Sequence, residues 1–173
     1  MSNACSKKRG FTLVEALVVV AIMGILSGIG VASLRSAVAN SRIKDAGINV
    51  TAFMQRAANE ATRLNEKLCV VASGKSIKTY KGECNATGTQ IDEMELESSN
   101  AFVSSKNCPD NVNRYLDNKV TLTPKIGVSP IPSGCFVIQY GSTDRFAASI
   151  KATTKFSMYY KLSYDSGSSW FEF

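Results

Sequence analysis

The pattern of apolar and polar positions changes sharply near Arg35. From Phe11 to Leu34 the only charge is Glu15. At about 1.5 Å per residue this run makes roughly 36 Å of helix, enough to cross a bilayer with some tilt. It is apolar on every side, as a membrane span or the centre of a helix bundle would be. Gly24, Gly28 and Gly30 interrupt it. Each weakens a helix by about 1 kcal/mol relative to alanine, but the Gly24/Gly28 spacing also lets neighbouring helices approach closely. Beyond Arg35 the pattern becomes amphipathic. Ile43, Ala46, Val50, Phe53, Ala57, Ala61, Leu64 and Leu68 recur at steps of three and four, forming one apolar stripe. Residues 11–65 therefore read as one long helix in two chemical halves. Arg56 and Glu60 are expected to pair across one turn, for a few tenths of a kcal/mol.

From Lys67 the period turns to two and turn residues multiply. Lys67–Ala72 and Ser76–Lys81 flank Ser73-Gly74-Lys75 and read as a hairpin. Residues 85–100 are polar, with Asp92, Glu93, Glu95 and Glu97 close together, and read as a solvated acidic loop. Residues 104–118 read as loop. Lys119–Thr123 alternates as a strand, and Pro124, Pro130 and Pro132 bound a further loop, because proline cannot donate to a ladder. Cys135–Tyr140 and Phe146–Ala152 read as strands. Ser157–Tyr164 and Ser169–Phe173 pair across Asp165-Ser166-Gly167-Ser168. The fold class expected is α+β: one long N-terminal helix whose C-terminal half packs on an antiparallel β-sheet.

The residues ahead of the span sharpen this picture. Lys7, Lys8 and Arg9 precede Gly10, and basic residues before a span hold that end in the cytoplasm. The apolar run is too long for an ordinary secretory signal, and no small-x-small cleavage site follows it. Glu15 lies four residues into lipid, at a cost on the order of 2.5–3.5 kcal/mol, so it needs a partner.

Gly10-Phe11-Thr12-Leu13-Val14-Glu15, between a basic leader and a long apolar helix, resembles the class III signal of type IV pilins and type II secretion pseudopilins. The resemblance implies cleavage after Gly10 by a prepilin peptidase and N-methylation of the new terminus, Phe11. It implies that Glu15 faces the α-amino group of Phe11, in its own chain or a neighbour, during assembly. A buried carboxylate and a buried ammonium offset each other's desolvation only when paired. The proline that many members carry after the span is absent, with Ala32-Ser33-Leu34 in its place. A second, looser resemblance runs from Gln55 through Arg56, Glu60 and Ala61 into Leu68-Cys69-Val70-Val71, and is similar to H-type minor pseudopilins and related minor pilins.

The domains expected on this basis are a leader at 1–10, a transmembrane or filament-core helix at 11–34, and a globular domain at 35–173, helical to about 65. The expected function is structural: a minor pilin or pseudopilin of a type IV pilus or type II secretion filament. Its partners would be other pilins through the N-terminal helix and the prepilin peptidase/methyltransferase. It would sit as a single-pass protein in the inner membrane, with its globular domain in the periplasm, before entering the filament.

Composition narrows the alternatives. The 173 residues leave room for one domain and one anchor. The net charge of +6 falls to +3 once Lys7, Lys8 and Arg9 leave with the leader, too weak by itself to argue for nucleic acid. There is no histidine, which excludes Ser-His-Asp and Cys-His nucleophile systems, His-ligated zinc and a histidine pH switch. No enzyme activity, cofactor or metal is expected. Asp92, Glu93, Glu95 and Glu97 lack the glycine and terminal glutamate of a calcium-binding EF-hand loop.

Of five cysteines, Cys5 lies in the leader. Cys69, Cys84, Cys108 and Cys135 lie beyond the span, in an oxidising compartment, and allow three pairings. Neighbour pairing, Cys69–Cys84 and Cys108–Cys135, is preferred because each loop closes locally. Four buried free thiols are the alternative, and no C-x₂₋₄-C spacing supports zinc. The lysines carry a second functional reading. Lys75, Lys78 and Lys81 are read as alternating on one strand face, and Lys151, Lys155 and Lys161 lie near the end. With Tyr80, Tyr159 and Tyr160 they could hold a DNA backbone and stack bases, as in a DNA-binding minor pilin of an uptake pilus. The plainer reading is that strand lysines blunt a sheet edge against aggregation.

Overall fold

The computed structural model describes residues 11–84, 88–97, 99–102, 108, 118–124, 127–128, 134–141, 147–152, 158–163 and 169–172. Side chains of 127–128, 147–152, 158–161 and 172 are outside that description.

Helix α1 runs unbroken from Leu13 to Leu64. The chain divides into two compact units, residues 1–38 and 39–173. In the first unit every described residue is exposed, and fourteen large apolar side chains between Phe11 and Leu34 lie open. In the second unit, Ile43, Ala46, Val50, Phe53, Ala57 and Ala61 are buried, as the stripe predicts. Gly47, Thr51, Met54 and Ala58 are buried too, so the covered face is wider than one stripe. The helix stops because Asn65 takes a left-handed conformation, φ 52°. The Glu66 N–H then donates to the Ala61 carbonyl and the Asn65 N–H to the Thr62 carbonyl, both at 3.2 Å. These bonds satisfy carbonyls that the last turn leaves open, and the chain enters its first strand three residues later.

The strands are β1 (Leu68–Ser73), β2 (Ser76–Lys81), β3 (Gln90–Glu95), β4 (Asn100–Phe102), β5 (Lys119–Thr123), β6 (Gly127–Val128), β7 (Cys135–Tyr140), β8 (Ala147–Ala152), β9 (Met158–Ser163) and β10 (Phe171–Glu172). All pairings are antiparallel, and the class is α+β. Among the described residues the strands form two sheets, ordered β3-β2-β1-β5-β6 and β10-β9-β8-β7-β4. The β1–β2 hairpin turns on Gly74, at φ 57°.

Leu68, Val70 and Ala72 of β1, Ile77 of β2 and Val120 and Leu122 of β5 form one core with the helix stripe. Phe136 and Ile138 of β7 and Leu162 of β9 join the same core from the second sheet. β7 is buried on both faces. Its odd positions, Cys135 and Val137, meet Cys108 and the half-buried Trp170 in a second cluster. Disulfides join Cys69 to Cys84 and Cys108 to Cys135, with Cα separations of 4.9 and 6.0 Å. These separations fall within the range ordinary bridges span.

Two readings of the sequence are corrected here. Residues 90–95 are not a solvated loop: they form β3, paired with β2. The acidic side chains did not prevent a strand because cations from elsewhere in the fold meet them. Arg56 does not pair with Glu60. Glu60 accepts from Arg63 one turn on, at 2.5 and 2.7 Å, while Arg56 reaches Asp92 at 3.6 Å and stands 5.4 Å over the Phe53 ring. The loops read at 85–87, 104–107 and 109–117, and the turn at 165–168, lie outside the described residues, as do Pro130 and Pro132.

Candidate assembly site

The first turn of α1 is built by Thr12. Its Oγ1 accepts the Glu15 N–H at 3.2 Å, and its carbonyl accepts the Ala16 N–H at 3.2 Å. This is an N-cap: a short oxygen-bearing side chain takes up a donor that the first turn leaves unpaired. The sequence carried the signal as Thr12-x-x-Glu15, the capping-box spacing ahead of an apolar run, which the motif reading passed over. The cap places Glu15 in the first turn, where the helix dipole favours negative charge. Glu15 and Phe11 are both exposed, Phe11 at 72%. Gly10 lies outside the described residues.

The surface around Glu15 shows what the segment needs. Fourteen open apolar side chains between Phe11 and Leu34, at about 1.5–3 kcal/mol each on burial, represent roughly 20–40 kcal/mol left unrealised in water. The cost of one carboxylate in lipid is about a tenth of that. The apolar term therefore decides the environment of the helix, and the carboxylate decides only how it is arranged there. The helix is long and apolar enough to cross a membrane. Gly24, Gly28 and Gly30 have nothing within 4 Å of where a Cβ would stand, so the segment offers three open notches.

Lys75, Lys78 and Lys81 do not share one strand face. A spacing of three cannot keep residues on one face of a strand, whose period is two. Lys75 lies in the β1–β2 turn rather than on a strand. Lys78 stands on the face opposite Ile77 and Thr79, directly across from Glu93, with Nζ 2.9 Å from its carboxylate. Lys81 reaches Glu66 at 3.4 Å, and Lys67 reaches Glu83 at 2.5 Å. The hydrogen bond to Glu93 holds the Lys78 ammonium above its ordinary range. Bonds from Lys78 and then Gln90 hold Glu93 below the usual carboxylate range. Lys67 lowers Glu83 and Arg63 lowers Glu60 in the same way.

Lys151 and Lys161 lie on β8 and β9, in the other sheet, while Lys155 lies outside the described residues. By register Lys151 pairs with Tyr159 and Lys161 with Ser149. No group of three or more metal-ligating side chains comes together among the described residues.

A family model described as the prokaryotic N-terminal methylation motif matches residues 5–31. No curated protein and no solved structure matches the chain. The matched stretch contains the basic residues, Gly10, the Thr12 cap, Glu15 and most of the exposed apolar segment. The chain thus carries the leader of a type IV pilin-like prepilin, and that leader with the apolar helix indicates membrane anchoring.

Proposed function

We propose that the chain is a structural subunit of a type IV pilus or type II secretion filament, a minor pilin or pseudopilin. Prepilin peptidase cleaves it after Gly10, and the new terminus, Phe11, is methylated. It waits in the inner membrane with residues 35–173 in the periplasm, and then enters a filament through residues 11–34. The observation that carries this reading is the methylation motif at 5–31 on a helix whose first half is open all round. Lipid covers such a surface first, and neighbouring helices cover it afterwards. Glu15 pairs with the α-ammonium of Phe11, its own or a neighbour's, because each charge leaves water only at the other's side. The Arg56–Ala61 helix end and the strand that follows support an H-type minor subunit. The ion pairs of Lys78 and Lys81 reduce the charge available to a nucleic acid.

Glu15→Ala should insert and be cleaved normally but be scarce in sheared filaments, as measured by quantitative blotting. Wild-type abundance there overturns the reading. A bulky or charged residue at Gly10 should leave the leader attached. A mature terminus at Phe11 in that variant, read by mass spectrometry, overturns the cleavage site.

A further inference from the structure

We propose that the Cys69–Cys84 bridge is a thiol-exchange site, at which the dithiol of a disulfide-exchanging protein attacks Cys84 and so frees strand β3. The two bridges sit in opposite surroundings. Cys108 and Cys135 are 5% and 0% exposed, and they belong to the apolar cluster with Val137 and Trp170. Cys69 alternates along β1 with Leu68 and Val70, so its side chain leaves the sheet on the face turned away from the main core. It is 2% exposed and lies mid-sheet, between Tyr80 of β2 and Thr121 of β5. Its partner Cys84 stands past the end of β2 and is only half-buried, next to the exposed Glu83.

Access decides which sulfur an incoming thiolate attacks, and cysteines enclosed in apolar surroundings are inert. Of the four bridged cysteines, Cys84 is the most open. A donor thiolate bonds to the Cys84 Sγ as the Cys69–Cys84 bond breaks. Cys69 leaves as a thiolate and takes up a proton. The donor's second thiolate then attacks the donor sulfur of the mixed disulfide, and Cys84 leaves and is protonated in turn. The donor ends as a disulfide and the bridge as two thiols.

The bridge tethers the connection into β3. Near it, the Gly82 N–H donates to the Lys67 carbonyl at 2.8 Å and the Lys81 N–H to the Thr89 carbonyl at 2.9 Å. β3 itself is the edge of its sheet, with four of its six residues exposed and the other two half-buried. An edge strand that buries so little opens at a small free energy once its tether is cut. β7 is buried on both faces and keeps the other bridge. Thiol exchange at Cys84 therefore sets the order of β3 and leaves the rest of the fold in place.

The test uses the full-length protein in detergent, with free thiols first blocked by N-ethylmaleimide. Dithiothreitol is added in graded amounts, and released thiols are labelled with iodoacetamide and mapped by mass spectrometry. Cys69 and Cys84 should be labelled about tenfold faster than Cys108 and Cys135, as access dictates. A thioredoxin-type protein whose second active-site cysteine is replaced by serine should be trapped as a mixed disulfide on Cys84. Hydrogen exchange of residues 90–95 should rise about tenfold after this selective reduction, and equally in Cys69→Ser/Cys84→Ser, while that of 135–140 stays as in the oxidised protein. Equal labelling of the two pairs, or earlier labelling of Cys108 and Cys135, overturns the exchange site. So does a trap found on another cysteine or on none. Unchanged exchange at 90–95, or a matching rise at 135–140, overturns the release of β3.

Discussion

A Cβ built on Gly88 would stand 1.8 Å from the Lys81 carbonyl oxygen. Backbone cannot yield as a flexible side chain does, so the segment would have to move away from β2. That movement would break the bond from the Lys81 N–H to the Thr89 carbonyl, now 2.9 Å. Gly88→Ala should therefore cost roughly 1–3 kcal/mol, as overpacking does. Urea unfolding of the oxidised protein in detergent checks this: a midpoint equal to wild type contradicts it. Nothing in the sequence marked Gly88, because its constraint comes from a chain segment seven residues back that returns only when β2 is paired. Thr12 is the opposite case. Its cap needs only its own next four residues, so the spacing to Glu15 stated it in advance. The placement of Lys75, Lys78 and Lys81 on one strand face failed for a third reason. Counting cations along a strand says nothing about which carboxylate each will meet.

The apolar stripe of α1 and the strands β1, β2, β5, β7, β8 and β9 follow from periodicity, since burial on one face imposes a period that polar residues cannot imitate. β3 does not follow, because Asp92, Glu93 and Glu95 hide its alternation. Inside the fold the alternation is plain: Met94 turns toward the core, Glu93 lies across from Lys78, and Asp92 faces Arg56. These exposed pairs are individually weak, but several lie along one edge of the sheet and should act together. The folded pKa values of Glu60, Glu83 and Glu93 are depressed. Their stabilisation is present above the ordinary glutamate value of about 4.3 and is lost as pH falls through the depressed values. Lys78, raised by Glu93, contributes below its ordinary value and loses that contribution only as pH rises past the raised one. The urea midpoint should thus be flat around neutrality and decline below about pH 4.3. Glu93→Gln should shrink the decline, and an unchanged acid limb in that variant would contradict the pairing.

At the scale of the molecule, two sheets share one helix, and this explains a stripe wider than the sequence suggested. Met54 and Ala58 are buried because strands from both sheets enter the core around α1. A single-stripe reading assumes a single covering layer. The partition into two sheets was illegible, since strand order depends on pairings between segments far apart, such as β4 with β7 and β1 with β5. The bridges close loops of 15 and 27 residues, for which chain entropy gives about 3 and about 3.6 kcal/mol. Replacing Cys108 and Cys135 by serine should cost more than replacing Cys69 and Cys84. The first pair also forms part of the second cluster beneath Trp170. Equal urea midpoints for the two double variants would count against that ranking.

β7 has one further consequence. Its even side chains belong to one cluster and its odd ones to another, so a slip of a single residue would turn every side chain over. Cys135 would then point into the oil of the main core, out of reach of Cys108. The second bridge can close only on a correctly threaded strand. A thiol-blocking reagent should therefore label Cys108 and Cys135 in copies whose β7 has slipped and spare those in which the bridge has closed.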